Sequence, residues 1–395
     1  MEGASFYRMT PFETAVGLIF GFEPAEEPEA ASHVLTARQA FEEVLLEALR
    51  VVGPTYVSFS GGRDSSAVLA VAVDMARSNG LGMPIPITNR YPGVGAASEN
   101  EWQEKVVRHL GLSEWVKVAS GPDDDILGES ARRSLLRFGP LWPPTLHLKG
   151  RLLQIARGGT VVTGEGGDAI LGPRRISPLA GLLHRRVYPR RRAIRRAAES
   201  VAPLLLRRRF VQRDIRTDAR RPWLTPRTRD ALSKMLVSDA LSEPLNWSRS
   251  VQNLPQARSV AIGLRNLKSL ADIHGVMYVH PFHDERFVRA WAAQGGVLGF
   301  PGRTAAMQAL FGDLLPAEIL SRDTKATFGA AYVGGPAREF MRGWAGDGVD
   351  TKMVISERLR DELLQPEPHA GTLPLLHSIW LRTRDKGVGA DHVEG

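Results

Sequence analysis

Along its first half the chain alternates short β-rich runs with segments of helical period. Residues 55–59 (TYVSF) form a strand-like run that breaks at Gly61-Gly62. Over 64–78, apolar residues at Val68, Leu69, Ala72, Val73, Met75 and Ala76 follow a helical period. Residues 83–88 predict a second strand, 99–110 a second helix, and 115–119 (WVKVA) a third strand. A further helix over 146–156 stops at Gly158-Gly159, and 160–163 (TVVT) predicts a fourth strand. This alternation predicts an α/β fold: a parallel twisted sheet with helices on both faces. Such sheets bind ligands beyond the carboxyl ends of their strands, where the Gly-rich turns after Phe59 and Thr163 fall. From about residue 174 the strand signals fade. The expected division is a helical extension over 1–45, an α/β core over 46–172 and a mainly helical half over 173–395.

The 395 residues are 43% hydrophobic and 24% charged, the balance of a folded globular chain long enough for two or three domains of ~150 residues. No apolar run approaches the ~18 residues a membrane helix needs. Acidic residues on both sides of the short apolar run 16–22 make a poor secretory signal, so a cytoplasmic location is expected. There is no cysteine, which excludes from this chain disulfides, thiolate zinc sites, cysteine nucleophiles and iron–sulfur ligation.

Charge changes the picture in one place. Residues 174–221 hold sixteen Arg, no Lys and three acids, a local charge of +13. The whole chain carries +8, so the other 347 residues carry −5. A solvated helical face accounts for such a run. Arg used without Lys also suits planar contacts with carboxylates or phosphates. An acidic peptide or partner protein, nucleic acid, or an anionic membrane surface would each fit.

The turn Ser60-Gly61-Gly62-Arg63-Asp64-Ser65-Ser66 stands between a strand and a helix. Its glycines let the backbone approach an anion, and the amides at the helix start can bind phosphate oxygens. Asp64 makes sense there if it holds a Mg²⁺ that the phosphates share. The Walker A spacing is absent. A glycine turn with an Asp cap is the bland alternative. After the fourth strand, Gly164-Glu165-Gly166-Gly167-Asp168 adds two carboxylates three residues apart, which a helical turn would aim to one side. His280, His283 and Asp284 could suggest a metal cluster, although no zinc-type spacing accompanies them.

The S-G-G-x-D-S turn resembles the pyrophosphate loop of the N-type ATP pyrophosphatases, the PP-loop superfamily. Within that group, Thr163 to Asp168 resembles the S-G-E-G-S-D-E turn of asparagine synthetases. Ala169 and Gly172-Pro173 stand where that family usually has Glu and Gly-Gly-Tyr. The segment 315–325 (LPAEILSRDTK) resembles the one whose lysine, here Lys325, neutralises charge on the adenylate and pyrophosphate. Residues 280–284 (HPFHD) resemble the family's R-x-P-F-L-D turn, and 99–110 the helix after its second strand.

The resemblance implies an ATP-dependent amide-forming ligase that adenylates a small-molecule or peptide carboxylate, releases pyrophosphate, and then releases AMP to an amine. It implies ATP contacts at Ser60, Gly61, Gly62, Asp64, Ser65, Ser66, Thr88, Gly164 and Lys325. It implies Mg²⁺ at Asp64 and Asp168, and catalytic roles for Lys325, Glu165 and Asp168. The family's glutaminase domain, which needs a cysteine, is not expected, as in the β-lactam synthetases and lasso peptide macrolactam cyclases that use the substrate's own amine. The alternative is a PP-loop enzyme modifying tRNA, whose binding would be strongly salt-dependent.

Overall fold

The computed structural model describes residues 5–24, 35–92, 99–121, 124–184, 188–218, 221–322, 324 and 329–390. Five strands form one parallel sheet: β1 (Thr55–Ser58), β2 (Ile85–Arg90), β3 (Val116–Ala119), β4 (Thr160–Thr163) and β5 (Met277–Val279). Their order is β3-β2-β1-β4-β5. Helices relevant here are α1 (Ala37–Arg50), α2 (Arg63–Asn79), α3 (Asn100–His109), α4 (Gly150–Ile155), α5 (Gly167–Ile170), α6 (Arg191–Val201), α7 (Leu204–Asp218), α8 (Pro226–Ser242), α9 (Arg258–His274), α10 (Glu285–Gly295) and α11 (Arg303–Phe311). The expected α/β fold with a mainly helical second half is present.

Strand periodicity sorts the core into two layers. In β4, all four residues are buried, and successive side chains point to opposite faces. Val162 joins Val57, Val68, Leu69 and Phe41 on the face covered by α1 and α2. Val161 joins Ile87, Val118, Leu152, Leu153 and Leu270 on the face covered by α4 and α9. The first layer continues into the second half of the chain, where Phe41 meets Phe282, Phe287 and Phe311 edge-on at 4.9, 5.1 and 5.3 Å. These rings fix α10 and α11 against the sheet, each pair adding about 1 kcal/mol beyond burial.

Three features depart from the sequence reading. β5 lies inside the half read as helical; three residues are too few for a period to register, and only its pairing with β4 reveals it. The helix expected over 146–156 divides into a 3-10 turn, Pro144–Leu148, and α4, with Lys149 at the junction and Gly150, a weak helix former, directly after it. Helix α1 also runs through the expected 45/46 division.

Candidate functional site

β1 and β4 are hydrogen-bonded neighbours at the centre of the sheet, so the turns leaving their carboxyl ends lie side by side. The first turn begins α2. Gly61 takes φ +84°, and a Cβ on it would come within 2.8 Å of Gln103 Cγ. Gln103 Nε2 donates to Ser60 O at 3.0 Å, tying the loop to α3. Ser65 Oγ accepts from Ser60 N at 3.2 Å and donates to Gly62 O at 3.2 Å. Gly62, the residue before α2, provides no side-chain cap, so amides at the start of a 17-residue helix face the cleft.

The second turn is pressed onto the first. A Cβ on Gly164 would lie 2.7 Å from Ser65 N, and one on Gly167 would lie 2.5 Å from the Asp64 carboxyl. Gly166 takes φ +90°, with the His283 ring 2.3 Å from where its Cβ would be. Glycine at these positions is a packing requirement. Because Gly166 is left-handed, Glu165 precedes α5 while Asp168 sits in its first turn. The two carboxylates therefore do not share a helical face as their spacing predicted, yet both line the same cleft.

That cleft has a volume of about 470 Å³ and brings together Ser60, Gly62, Asp64, Ser65, Gly164, Glu165 and Asp168 from the sequence-predicted set. Ser66 is fully buried, and its Oγ has no hydrogen-bond partner among the described residues. Thr88 is buried too. Its hydroxyl donates to Phe59 O at 2.8 Å and accepts from Trp115 Nε1 at 2.9 Å, holding β2 to the root of the loop rather than lining the cleft. Lys325 lies outside the described residues; Thr324, just before it in sequence, lines the cleft.

Four cations on the wall had no role in the sequence reading: Arg63, Lys149, Arg303 and Arg322. Arg303, at the start of α11, donates through Nη2 to both Asp64 oxygens at 2.6 Å and pairs through Nη1 with Asp168. Burial pushes the Asp64 carboxyl upward in pKa, and the Arg303 charge pulls the other way. Burial likewise opposes the Arg303 charge, but the two carboxylates outweigh it and raise its pKa. Arg322 is nearly buried, pairs with Glu99, donates to Gly61 O at 3.1 Å and lies 4.8 Å from the Trp102 ring centre. Its place three residues before Lys325 was the available signal. For Arg303 there was none, since it meets Asp64 across 239 residues.

The HPFHD turn packs behind the second glycine turn and does not itself line the cleft. Thr163 Oγ1 lies 2.7 Å from His280 Nδ1. Burial pushes His280 down to about 4, with Lys149 adding to the effect. Burial and His280 push His283 down to about 4, while Glu165 pulls the other way. Both rings are neutral near pH 7. Asp284 instead begins α10, accepting from Arg286 N at 2.9 Å. Among the described residues no group of three His, Cys, Asp or Glu is placed to hold a metal, so the His280–His283–Asp284 cluster is not formed.

Asp64 and Asp168 are hard oxygen donors that already converge on one cation, the guanidinium of Arg303. One or two carboxylates with substrate phosphates is the donor set Mg²⁺ uses, and this pair fits it. Open amides, hydroxyls and four cations around a paired carboxylate suit a polyphosphate with its metal.

A family model described as asparagine synthase matches residues 36–373. No curated protein matches the chain. No helix among the described residues is long and apolar enough to cross a membrane.

Proposed function

Because the chain belongs to the asparagine synthase family, a family of ATP-dependent amide-bond ligases, we propose that it adenylates a carboxylate and passes the acyl group to an amine. The observation that carries this reading is the Arg303 bridge between Asp64 and Asp168, which joins the two strand-end turns into one anion-binding cleft.

ATP enters with its β and γ phosphates on the amides of Gly62 and the first turn of α2, with the Ser60 and Ser65 hydroxyls beside them. Arg63, Arg303, Arg322 and Lys325 neutralise the polyphosphate. Asp64 and Asp168 would hold Mg²⁺, which supplies charge neutralisation for the leaving pyrophosphate. The substrate carboxylate oxygen attacks the α phosphorus, the bond to the bridging oxygen breaks, and pyrophosphate leaves. The amine nitrogen then attacks the acyl carbon and expels AMP, because AMP leaves far more readily than a carboxylate oxygen. Glu165, on the rim beyond the phosphate turn, takes the amine proton. Held in one cleft, the two reactants gain the advantage of an intramolecular reaction.

The acceptor side lies toward a smaller polar cavity that shares Lys149 with the nucleotide cleft and is lined by Asn89, Tyr91, Ser120 and Tyr332. A peptide substrate that supplies its own amine, as in a macrolactam cyclase, is the form of the reaction we favour. The absence of cysteine in the chain agrees with an amine that does not come from cysteine-dependent glutamine hydrolysis here. The family match across residues 36–373 supports a ligase over a tRNA-modifying enzyme.

The test is release of AMP and pyrophosphate from Mg-ATP across a panel of amino acids and peptides. AMP that depends on one carboxylate supports the reading. AMP that appears only with bulk tRNA, or none with any acceptor despite ATP binding, overturns it.

A further inference from the structure

The Arg-rich stretch is not one surface. Arg175 Nε donates to Ser200 O at 2.9 Å, and its backbone N–H donates to Glu243 Oε1 at 2.8 Å. Arg207 is buried against the end of α8, donating to the carbonyls of Ala240 and Leu241. These arginines are structural: they satisfy helix-end carbonyls that would otherwise lack donors. Arg190, Arg191, Arg192, Arg195, Arg196 and Arg208 are exposed.

Apolar exposure concentrates in the same place. Of the sixteen exposed large apolar side chains among the described residues, seven fall between residues 183 and 206. Ile194 and Val201 are two turns apart on α6 and form one stripe, with Ala197 and Ser200 buried beside it. The stripe runs on to the start of α7, where Leu204, Leu205 and Leu206 are 62%, 80% and 46% exposed. An apolar cluster rimmed by cations marks an interaction surface rather than a scattering of single residues.

We infer that the α6–α7 corner is a peripheral docking surface for an anionic phospholipid bilayer. Its leucines enter the headgroup–acyl boundary, and its exposed arginines bind lipid phosphates. Consecutive helical residues diverge by about 100°, so Leu204, Leu205 and Leu206 fan around the helix start. A flat protein face meets one or two of them at a time, whereas a fluid lipid boundary closes around all three. On α6, Ile194 and Val201 lie on one side and Arg192 and Arg196 on the other, the pattern of helices that lie in the bilayer interface. Nucleic acid would engage the arginines but leaves the leucines without a role, since bases stack on aromatic rings. Glu199 is the one acid among described residues 188–213, and it pairs with Arg195 and Arg213, so an anionic surface meets little repulsion.

Co-sedimentation of the full chain with phosphatidylcholine vesicles, with and without one-third phosphatidylglycerol, tests this independently of ATP chemistry. Binding is expected only to the anionic vesicles and is expected to collapse between about 0.05 and 0.5 M salt as screening sets in. Replacing Leu204 and Leu205 together by Ser is expected to weaken binding at least tenfold. The triple change Arg191→Gln, Arg192→Gln, Arg195→Gln should weaken it on the order of 100-fold, at about one factor of five per arginine. Both variants should keep native circular dichroism and AMP formation. Absence of binding to anionic vesicles, equal binding to neutral ones, or an unaltered leucine variant would overturn the inference. So would leucine-dependent capture of labelled poly-glutamate with no capture by vesicles, which would assign the corner to an acidic peptide.

Discussion

Gly167 packs directly on Asp64: a Cβ at residue 167 would stand 2.5 Å from the Asp64 carboxyl carbon. The position of the Asp64 carboxylate therefore depends on a missing side chain a hundred residues later. Gly167→Ala must push the carboxylate aside, since backbone on both sides of the contact is held by β1 and β4. Misplacement of a reacting group by about 1 Å can cost roughly 100-fold in rate. Gly167→Ala is expected to lower AMP formation by about that factor while the melting temperature changes little. Steady-state AMP release and a thermal melt on the same sample check both halves.

The legible part of this protein was local. Each of the four predicted strands carries its own β-rich run, and each Gly-rich turn follows one directly, so 60–66 and 164–168 could be found without knowing what they touch. What was not legible is what arrives from far away. Arg303 reaches Asp64 and Arg322 reaches Gly61 across 239 and 261 residues. Arg303 does not differ in local pattern from any other arginine, and Arg322 is marked only by its place three residues before Lys325. β5 failed for a different reason, being three residues whose only distinguishing property is their pairing with β4. The glycines at 164 and 167 were matched by resemblance; their cause, a collision with the first turn of α2, needed the fold.

Arg303 balances two carboxylates, one of them largely buried. Arg303→Ala leaves Asp64 without its cation, and breaking a buried pair in this way costs about 3–5 kcal/mol. The loss should be partly restored by millimolar Mg²⁺, which substitutes for the guanidinium at the same carboxylates, whereas the native protein should gain little from Mg²⁺ alone. Chemical denaturation with and without Mg²⁺ measures this. Equal Mg²⁺ effects on both proteins would mean that Asp64 and Asp168 do not form the metal site.

His377 gives the fold a pH dependence of definite sign. It is fully buried, meets His147 at a ring distance of 4.9 Å, and its Nε2 lies 3.0 Å from Ile126 O. Burial pushes it down to about 4 from 6.5, with the Ile126 carbonyl acting weakly in the opposite direction. The folded state thus keeps His377 neutral where the unfolded chain would protonate it. Stability from this group is complete above about pH 6.5 and is lost as pH falls toward 4, amounting to about 3 kcal/mol. His147, His280 and His283 are displaced in the same direction. Denaturant midpoints should fall between pH 7.5 and 5, and His377→Gln should flatten that slope.

Lys325 follows Thr324, a residue of the cleft wall, and the segment containing it also carries Arg322, which holds Gly61. If Lys325 neutralises charge that builds as pyrophosphate departs, it acts more on the transition state than on bound ATP. Removing such an electrostatic contact typically costs 100- to 1,000-fold in turnover, or about 3–4 kcal/mol. Lys325→Ala is therefore expected to lower the rate of AMP formation by that order, with ATP affinity changed less than tenfold. Arg322→Ala should behave differently. It strips Gly61 and Glu99 of their shared partner, so it should weaken ATP binding and lower the melting temperature together. Isothermal titration with a non-hydrolysable ATP analogue, set beside turnover for each variant, separates the two roles. Equal losses of affinity and rate in Lys325→Ala would reassign that lysine to ground-state binding of the nucleotide.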